Sequence, residues 1–218
     1  PRVLPGVPKP ILSPVQKREQ AARRAGAALG FHECVSYSFI DQAAAALFGA
    51  GSDATRLENP ISADMSHMRP DLLPGLLAAA QRNQARGFAD LALFEIGPVF
   101  SGGEPEEQDL QIAGLLIGRS APKDVHASDR DVDLFDAKAD ALSILGAIGA
   151  PVKTQIRRGA APWWHPGRHG QICLGPKKTL AVFGELHPKI LAAFDIKGPA
   201  VGFTIWPNEV PLPRNNSA

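Results

Sequence analysis

The chain has 218 residues, and its 23 lysines and arginines nearly balance its 22 aspartates and glutamates. This balance excludes a global basic footprint for nucleic acid, so any RNA contact must be local. No apolar run approaches the roughly 18 residues of a membrane helix, so no membrane contact is predicted. Cys34 and Cys173 lie far apart, which favours reduced thiols in a cytoplasmic protein over a disulfide framework.

The first predicted helix runs from Pro14 to about Leu29. Ser13 and Gln16 form a capping box around Pro14, and Gly30 ends the helix. The basic residues of this helix are predicted to form a solvated face: Lys17, Arg18, Arg23 and Arg24. The proline-rich residues 1–12 are predicted to be an extended linker from an upstream domain.

One face of this helix carries Val15, Ala22, Gly26 and Leu29, at spacings of seven, four and three residues. A glycine at position 26 costs about 1 kcal/mol relative to alanine in a helix interior. Close approach of a neighbouring element would explain that cost. Two interpretations are open: a partner helix approaches this face, or an alanine-rich helix lies on its own sheet.

Up to Phe100 the pattern predicts, in chain order, a strand at 35–39, a helix at 42–48, a strand at 55–58, a helix at 72–86 and a strand at 91–96. Asp41 caps the short helix. Pro74 suits the first turn of the longer helix, and Gly87 suits the position past its end. Gly97-Pro98 is predicted to interrupt the last strand.

After a polar, acidic loop, the order is a strand at 112–117, a helix from Asp133 or Asp136 to Ile148, a strand at 152–156, a turn at 163–168, strands at 171–174 and 180–184, a helix at 188–194 and a strand at 200–205. Residues 121–131 are predicted to be polar and mobile. The core-facing positions of the long helix are predicted to be Ala137, Leu142, Leu145 and Ile148.

The glycine-proline turn at 175–178 and the short strand spacing favour an antiparallel β-sheet flanked by helices, an α+β fold. The core domain is predicted at residues 13–206. Residues 207–218 are predicted to be a linker towards a downstream domain.

Glu95 lies inside an apolar strand, where a buried and unpaired carboxylate would be costly. It is predicted to form a structural ion pair, and Arg69 is the expected partner. Arg69 has an alternative interpretation, since its guanidinium could instead reach a phosphate. Arg168, in a turn of proline and glycine, is likewise either a structural anchor or a possible RNA contact.

The sequence contains no Walker loop, no G-x-G-x-x-G, no H-E-x-x-H and no paired Cys-x-x-Cys. His165 and His169 have the spacing of helical metal ligands, but Pro166 and Gly167 between them make a helix unfavourable. No metal site and no cofactor site are therefore predicted in this chain.

Six sequence blocks carry a family resemblance: Asn59-Pro-Ile-Ser62, Met68-Arg69, Leu72-Leu-Pro-Gly-Leu-Leu77, Leu93-Phe-Glu-Ile-Gly97, His165-Pro-Gly-Arg168 and Gly184-Glu-Leu-His-Pro188. In order and spacing they resemble the core domain of the β subunits of bacterial phenylalanyl-tRNA synthetases, from about Pro10 to Pro213. The resemblance implies the class II synthetase fold and an (αβ)₂ heterotetramer with the α subunit and tRNA(Phe).

The resemblance also implies an inert core without catalytic residues. Amino-acid activation needs cations where charge develops on the phosphates of ATP. The family supplies two arginines for this purpose, one after the strand that corresponds to 95–100 and one after the last strand. At the first of these positions this chain has Ser101-Gly102-Gly103. At the second it has residues 205–209, which contain no arginine. ATP and magnesium would then be used by the holoenzyme, on the α subunit.

In class II enzymes the first helix builds the subunit interface, so Val15, Ala22, Gly26 and Leu29 are predicted to meet the α subunit. Two alternative functions are an active class II-like ligase and an RNA-binding module. The RNA-binding module would use a local basic set: Arg157, Arg158, Arg168, Lys177 and Lys178.

Overall fold

The structure is a computed structural model, and it describes residues 11–121, 130–159 and 161–212. Most of the predicted mobile segment 121–131 and most of the predicted linkers lie outside the described residues. No helix in the described ranges combines the length and the apolar character that crossing a bilayer requires.

The described residues form five α-helices and nine strands, in addition to short 3₁₀ turns. In chain order they are α1 (Pro14–Ala28), β1 (His32–Glu33), β2 (Phe39–Ile40), α2 (Gln42–Leu47), β3 (His67–Met68), α3 (Leu73–Gln84), β4 (Leu91–Phe100), β5 (Gln108–Ile117), α4 (Leu134–Ala147), β6 (Gln155–Arg157), β7 (Trp164–Leu174), β8 (Lys178–Leu186), α5 (Pro188–Ala193) and β9 (Ala200–Ile205).

Seven strands form one sheet in the order β1-β4-β5-β9-β8-β7-β6. Every neighbouring pair is antiparallel except β1 and β4, which run parallel at one edge. The predicted α+β class and antiparallel sheet are confirmed. Strands β2 and β3 form a separate antiparallel pair.

Helices cover both faces of the sheet. Successive side chains of a strand point to opposite faces, and here both faces carry apolar side chains that the helices bury. Phe94 and Ile112 contribute to one apolar cluster, to which α1 and α4 add their buried residues. Their chain neighbours Leu93 and Ala113 contribute to a second cluster, which contains the apolar residues of α3 and α5. Leu142 lies off the buried stripe of α4 and is partly exposed, so its predicted core position is wrong; Ala141 and Ile144 are buried instead.

Strand β4 continues through Gly97-Pro98, so the predicted interruption is wrong. Pro98 lies opposite Leu110 of β5, and its carbonyl accepts a hydrogen bond from Arg69 Nε at 2.9 Å. Within a strand the N–H and C=O groups of one residue face the same side. The missing N–H of Pro98 therefore faces away from β5, and the pairing with β5 is complete without it.

Three short segments differ from their predicted structure. Residues 35–38 are irregular, because the amide and hydroxyl of Ser36 bind the Glu95 carboxylate. Residues 55–58 do not form a strand. Thr55 is the last residue of a 3₁₀ turn, and Arg56 forms only an isolated bridge with His67. Residues 163–168 do not form a turn between strands: Trp164 begins β7, and the strand register shifts between Trp164 and His169.

Candidate functional site

The buried polar centre of the domain is the ion pair of Arg69 and Glu95, which the sequence predicted. Arg69 Nη1 lies 2.7 Å from Glu95 Oε1, and both side chains are only 3% exposed. Ser36 completes the cluster: its hydroxyl donates to Glu95 Oε2 at 2.7 Å and accepts from Arg69 Nη1 at 3.0 Å. The role of Ser36 is not evident from the sequence, since nothing local connects position 36 to position 95. The guanidinium of Arg69 is thus held by protein groups inside the fold, the anchoring alternative.

Two glycines make room for this cluster. A Cβ atom at Gly97 would lie 2.5 Å from Arg69 Nη2, and a Cβ atom at Gly75 would contact the Ser36 hydroxyl. Both glycines face the cluster, and any larger residue at either position would clash with Arg69 or Ser36.

Asp71 lies beside the pair and bonds the start of α3. Its carboxylate accepts from the Leu73 amide at 2.9 Å and from Gln111 Nε2 at 3.1 Å, while Gln111 Oε1 accepts from the Leu72 amide. Burial raises the pKa of Asp71 to about 6, although these hydrogen bonds and the charge of Arg69 oppose the rise. Asp71 is therefore a carboxylate at neutral pH, with amide donors rather than a cation as its direct partners.

The loop between β4 and β5 has the wrong charge for a nucleotide. Residues 101–107 contain three glutamates and no lysine or arginine. The Ser101 amide donates to the Glu107 carbonyl, and the Glu104 amide donates to the Glu107 carboxylate, so the loop is closed on itself. Its carboxylates would repel the phosphates of ATP at short range.

The segment after β9 carries no arginine, and a distant arginine is bound to its backbone. Arg18 donates from Nη1 to the carbonyls of Pro207 and Val210, at 3.0 and 2.7 Å, and from Nη2 to that of Pro211 at 2.7 Å. The solvated role predicted for Arg18 is wrong, because this side chain is buried under residues 207–211. Residues 207–211, at the start of the predicted linker, are thus bound to α1.

The predicted interface face of α1 is only partly on the surface. Ala22 and Gly26 are buried, and a Cβ atom at Gly26 would lie 2.9 Å from the ring of Phe94. For these two residues the interface prediction is wrong, since their small size accommodates the sheet of their own domain. Val15 and Leu29 remain about 40% exposed, and their contact with a partner stays a prediction.

Arg168 binds a carboxylate on the neighbouring strand. Its Nε lies 2.5 Å from Glu185 Oε2, and its Nη2 lies 2.8 Å from Glu185 Oε1, a bidentate arrangement. The Arg168 side chain is 50% exposed and that of Glu185 is 18% exposed. The structure thus gives Arg168 the contacts of a structural anchor, while its contact with RNA stays a prediction.

The two histidines with metal-like spacing are engaged with the backbone. His169 Nδ1 lies 2.6 Å from the His165 carbonyl, and its Nε2 accepts from the Gly159 amide. Within the described ranges, no group of three or more potential ligands is placed to hold a metal ion.

A mostly antiparallel seven-stranded sheet with one parallel edge strand and helices on both faces is the class II aminoacyl-tRNA synthetase fold. Two solved structures of a pyrrolysyl-tRNA synthetase from Desulfitobacterium hafniense share it. Their TM-scores are 0.66 and 0.64, each at 18% identity, over 88% and 87% of this chain and 66% and 65% of theirs. At this identity the likeness concerns the fold alone.

The chain belongs to the family described as phenylalanyl tRNA synthetase beta chain CLM domain, whose model matches residues 1–206. Its relatives include proteins named phenylalanine–tRNA ligase beta subunit. That of Ruegeria pomeroyi is 71% identical, and the match covers 99% of this chain and 27% of the relative. That of Cereibacter sphaeroides is 67% identical over 98% of this chain and 26% of the relative. The chain thus spans about a quarter of the length of these relatives.

Proposed function

We propose that this domain is the non-catalytic core of a phenylalanine–tRNA ligase β subunit and that it scaffolds an (αβ)₂ heterotetramer. Phenylalanine, ATP with magnesium and the acceptor end of tRNA(Phe) would react on the α subunit. The proposed location is the cytoplasm, where the substrates of translation are found.

One observation carries this proposal: the class II fold is present without its phosphate-binding charges. The loop between β4 and β5 carries glutamates, and the segment 205–211 carries no lysine or arginine. Arg18, which is bound to that segment, donates its N–H groups to three carbonyls inside the domain. Stabilising the charge that develops on ATP requires donors aimed at the phosphates. These residues therefore support a scaffold rather than a catalyst.

The assay is pyrophosphate exchange with phenylalanine and ATP, performed on the full β subunit, the α subunit and their mixture. We expect no exchange above background with the β subunit alone, and the mixture should elute as one complex on a sizing column. Exchange that scales with the concentration of the β subunit alone would overturn the non-catalytic assignment. Failure of the two subunits to co-elute would overturn the scaffold.

Apolar side chains just after the parallel edge strand support an assembly surface there. Val35 and Tyr37, which follow β1, are 92% and 73% exposed. Large apolar side chains exposed together are typical of a surface that a partner covers. In the proposed assembly that partner is the α subunit.

A matched pair of valines tests this surface. Val35→Ser removes an apolar group at the β1 edge, and Val152→Ser removes one that is 99% exposed before β6, at the opposite edge of the sheet. We expect Val35→Ser to weaken association with the α subunit by several-fold and Val152→Ser to leave it unchanged. Equal association constants for the two variants would remove Val35 from the interface.

A further inference from the structure

One stretch of the chain is free of acidic residues. Residues 141–184 contain no aspartate or glutamate, although the chain average of about one acidic residue in ten predicts about four. The same 44 residues contain six basic ones: Lys153, Arg157, Arg158, Arg168, Lys177 and Lys178. The near-neutral net charge of the whole chain thus conceals a local excess of positive charge.

The fold brings most of these charges to one end of the sheet. Strand β6 is the edge strand, and it pairs with β7 so that Gln155 lies opposite Cys173. By this register Lys153 lies opposite the turn that joins β7 to β8, which carries Lys177. Arg157 contacts the same turn, because its Nη1 donates to the Pro176 carbonyl at 2.7 Å. Residues 153–158 extend this strip along the edge by about 17 Å, at about 3.3 Å per residue.

The structure separates the basic residues that hold the fold from those that face solvent. Arg168 is bound by Glu185, and Lys178 Nζ lies 3.3 Å from Glu209 Oε2. Lys153, Arg158 and Lys177 are exposed, and none of the three has an ion-pair partner among the residues that the structure describes. The solvent-facing cations are therefore Lys153, Arg158 and Lys177, together with the exposed N–H groups of Arg157.

We propose that this basic edge, Lys153, Arg157, Arg158 and Lys177, contacts the phosphate backbone of an RNA. The proposal rests on the proposed function, in which the RNA is the tRNA substrate of the assembled enzyme. A strip of exposed cations on a sheet edge, without carboxylates interspersed, suits a row of phosphates and supplies affinity independent of sequence. Arg168 is left out of this proposal, because its Nε and Nη2 are bound by Glu185.

An acidic protein surface is the competing partner for such a strip. The arrangement favours RNA, because residues 141–184 carry six basic and no acidic side chains, and charge of one sign along an edge suits a row of phosphates. Val152 and Ile156 are also exposed on this edge, so a protein partner is the alternative that the assembly measurement tests.

The experiment uses the complex of the full β subunit with the α subunit and fluorescently labelled tRNA(Phe). Binding is followed by anisotropy at several salt concentrations for the wild type and for the triple variant Lys153→Gln, Arg158→Gln, Lys177→Gln. The matched control is Arg86→Gln, an exposed arginine beyond the end of α3. Sizing chromatography of each complex reports whether assembly is intact.

We expect the triple variant to assemble normally and to bind tRNA at least about ten-fold more weakly at low salt. The slope of log K against log salt should flatten by about 0.7 to 0.9 for each phosphate that the variant no longer neutralises. Arg86→Gln should leave both affinity and slope unchanged.

Two results would overturn the proposal. One is an affinity and a salt slope in the triple variant equal to those of the wild type. The other is a triple variant that binds tRNA normally but no longer assembles, because the edge would then face a protein. The first result leaves the proposed scaffold intact, since subunit co-elution and the absence of pyrophosphate exchange are measured separately.

Discussion

The pairs Arg69–Glu95 and Arg168–Glu185 are both arginine–carboxylate contacts anchored on the central sheet, but their surroundings are opposite. The exposed pair has two N–O contacts, whereas the buried pair has one, supplemented by Ser36 and the Pro98 carbonyl. In the buried pair no water compensates either charge if its partner is removed. In the exposed pair, solvent replaces a missing partner. Burial, more than contact geometry, therefore sets how much each pair matters to the fold.

Removal of the buried carboxylate should have the largest effect. Glu95→Ala leaves the Arg69 guanidinium uncompensated in the interior, so the free energy of unfolding should fall by about 3–5 kcal/mol. Glu95→Gln should cost less, because it keeps an acceptor for Ser36 and Arg69. Urea melts measure both, with Glu185→Ala as the exposed counterpart. Equal midpoints for Glu95→Ala and Glu185→Ala would contradict the comparison.

Asp71 extends the comparison to a buried carboxylate without a directly bound cation. Its pKa is raised from an ordinary value of 3.8 to about 6. Between these two pH values the folded state therefore holds a proton that the unfolded state has released. The stabilisation from this group is complete below about pH 4 and is lost as the pH rises through about 6. At about 1.4 kcal/mol per pKa unit, the total loss is about 3 kcal/mol.

Urea melts between pH 4 and 7 measure this loss, and the slope in this range should flatten in Asp71→Asn. Burial and the nearby charge of Asp136 also raise the pKa of Asp140 to about 6, with the same sign, so Asp140→Asn separates the two contributions. Parallel curves for the wild type and Asp71→Asn would show that Asp71 titrates alike in the folded and unfolded states.

Filling the space around the buried pair should lower the free energy of unfolding nearly as much as removing one of its charges. Gly97→Ala places a Cβ atom 2.5 Å from Arg69 Nη2, which cannot move aside because Pro98, Ser36 and Glu95 hold the guanidinium. Overpacking of this kind typically costs about 1–3 kcal/mol. Gly103→Ala is the control, since its nearest neighbour atom would lie 3.7 Å away. If thermal melts give the two variants the same midpoint, the cluster adapts more easily than its contacts indicate.

The exposed pair should show the smallest effect. Arg168→Gln should lower the free energy of unfolding by less than about 1 kcal/mol, and added salt should reduce the difference. Chemical melts at low and high salt provide the measurement. A destabilisation comparable to that of Glu95→Ala would mean that the bidentate geometry outweighs solvent exposure.

The sequence predicted the elements whose signals lie within a few residues. The capping box of Ser13 and Gln16, the cap at Asp41, the hairpin turn at 175–178 and the final strand 200–205 all occur in the structure. The need for a partner of Glu95 was also predictable, because a carboxylate in an apolar strand is costly if it is unpaired. That the partner is Arg69, rather than Arg82 or Arg86, which lie closer in the chain, was decided by the tertiary structure.

The sequence by itself therefore determined the fold class, the helix ends and the need for a buried pair, because caps, turns and apolar periodicity act locally. Only the tertiary structure decided which long-range partners meet. Arg18 binds the Pro207 carbonyl across 189 residues, and Gly26 fits against Phe94 of the central sheet. A helix pattern shows which residues share a face. Whether that face meets its own sheet or another chain depends on the closure of the whole domain, since the contacts that decide it form only when distant strands pair.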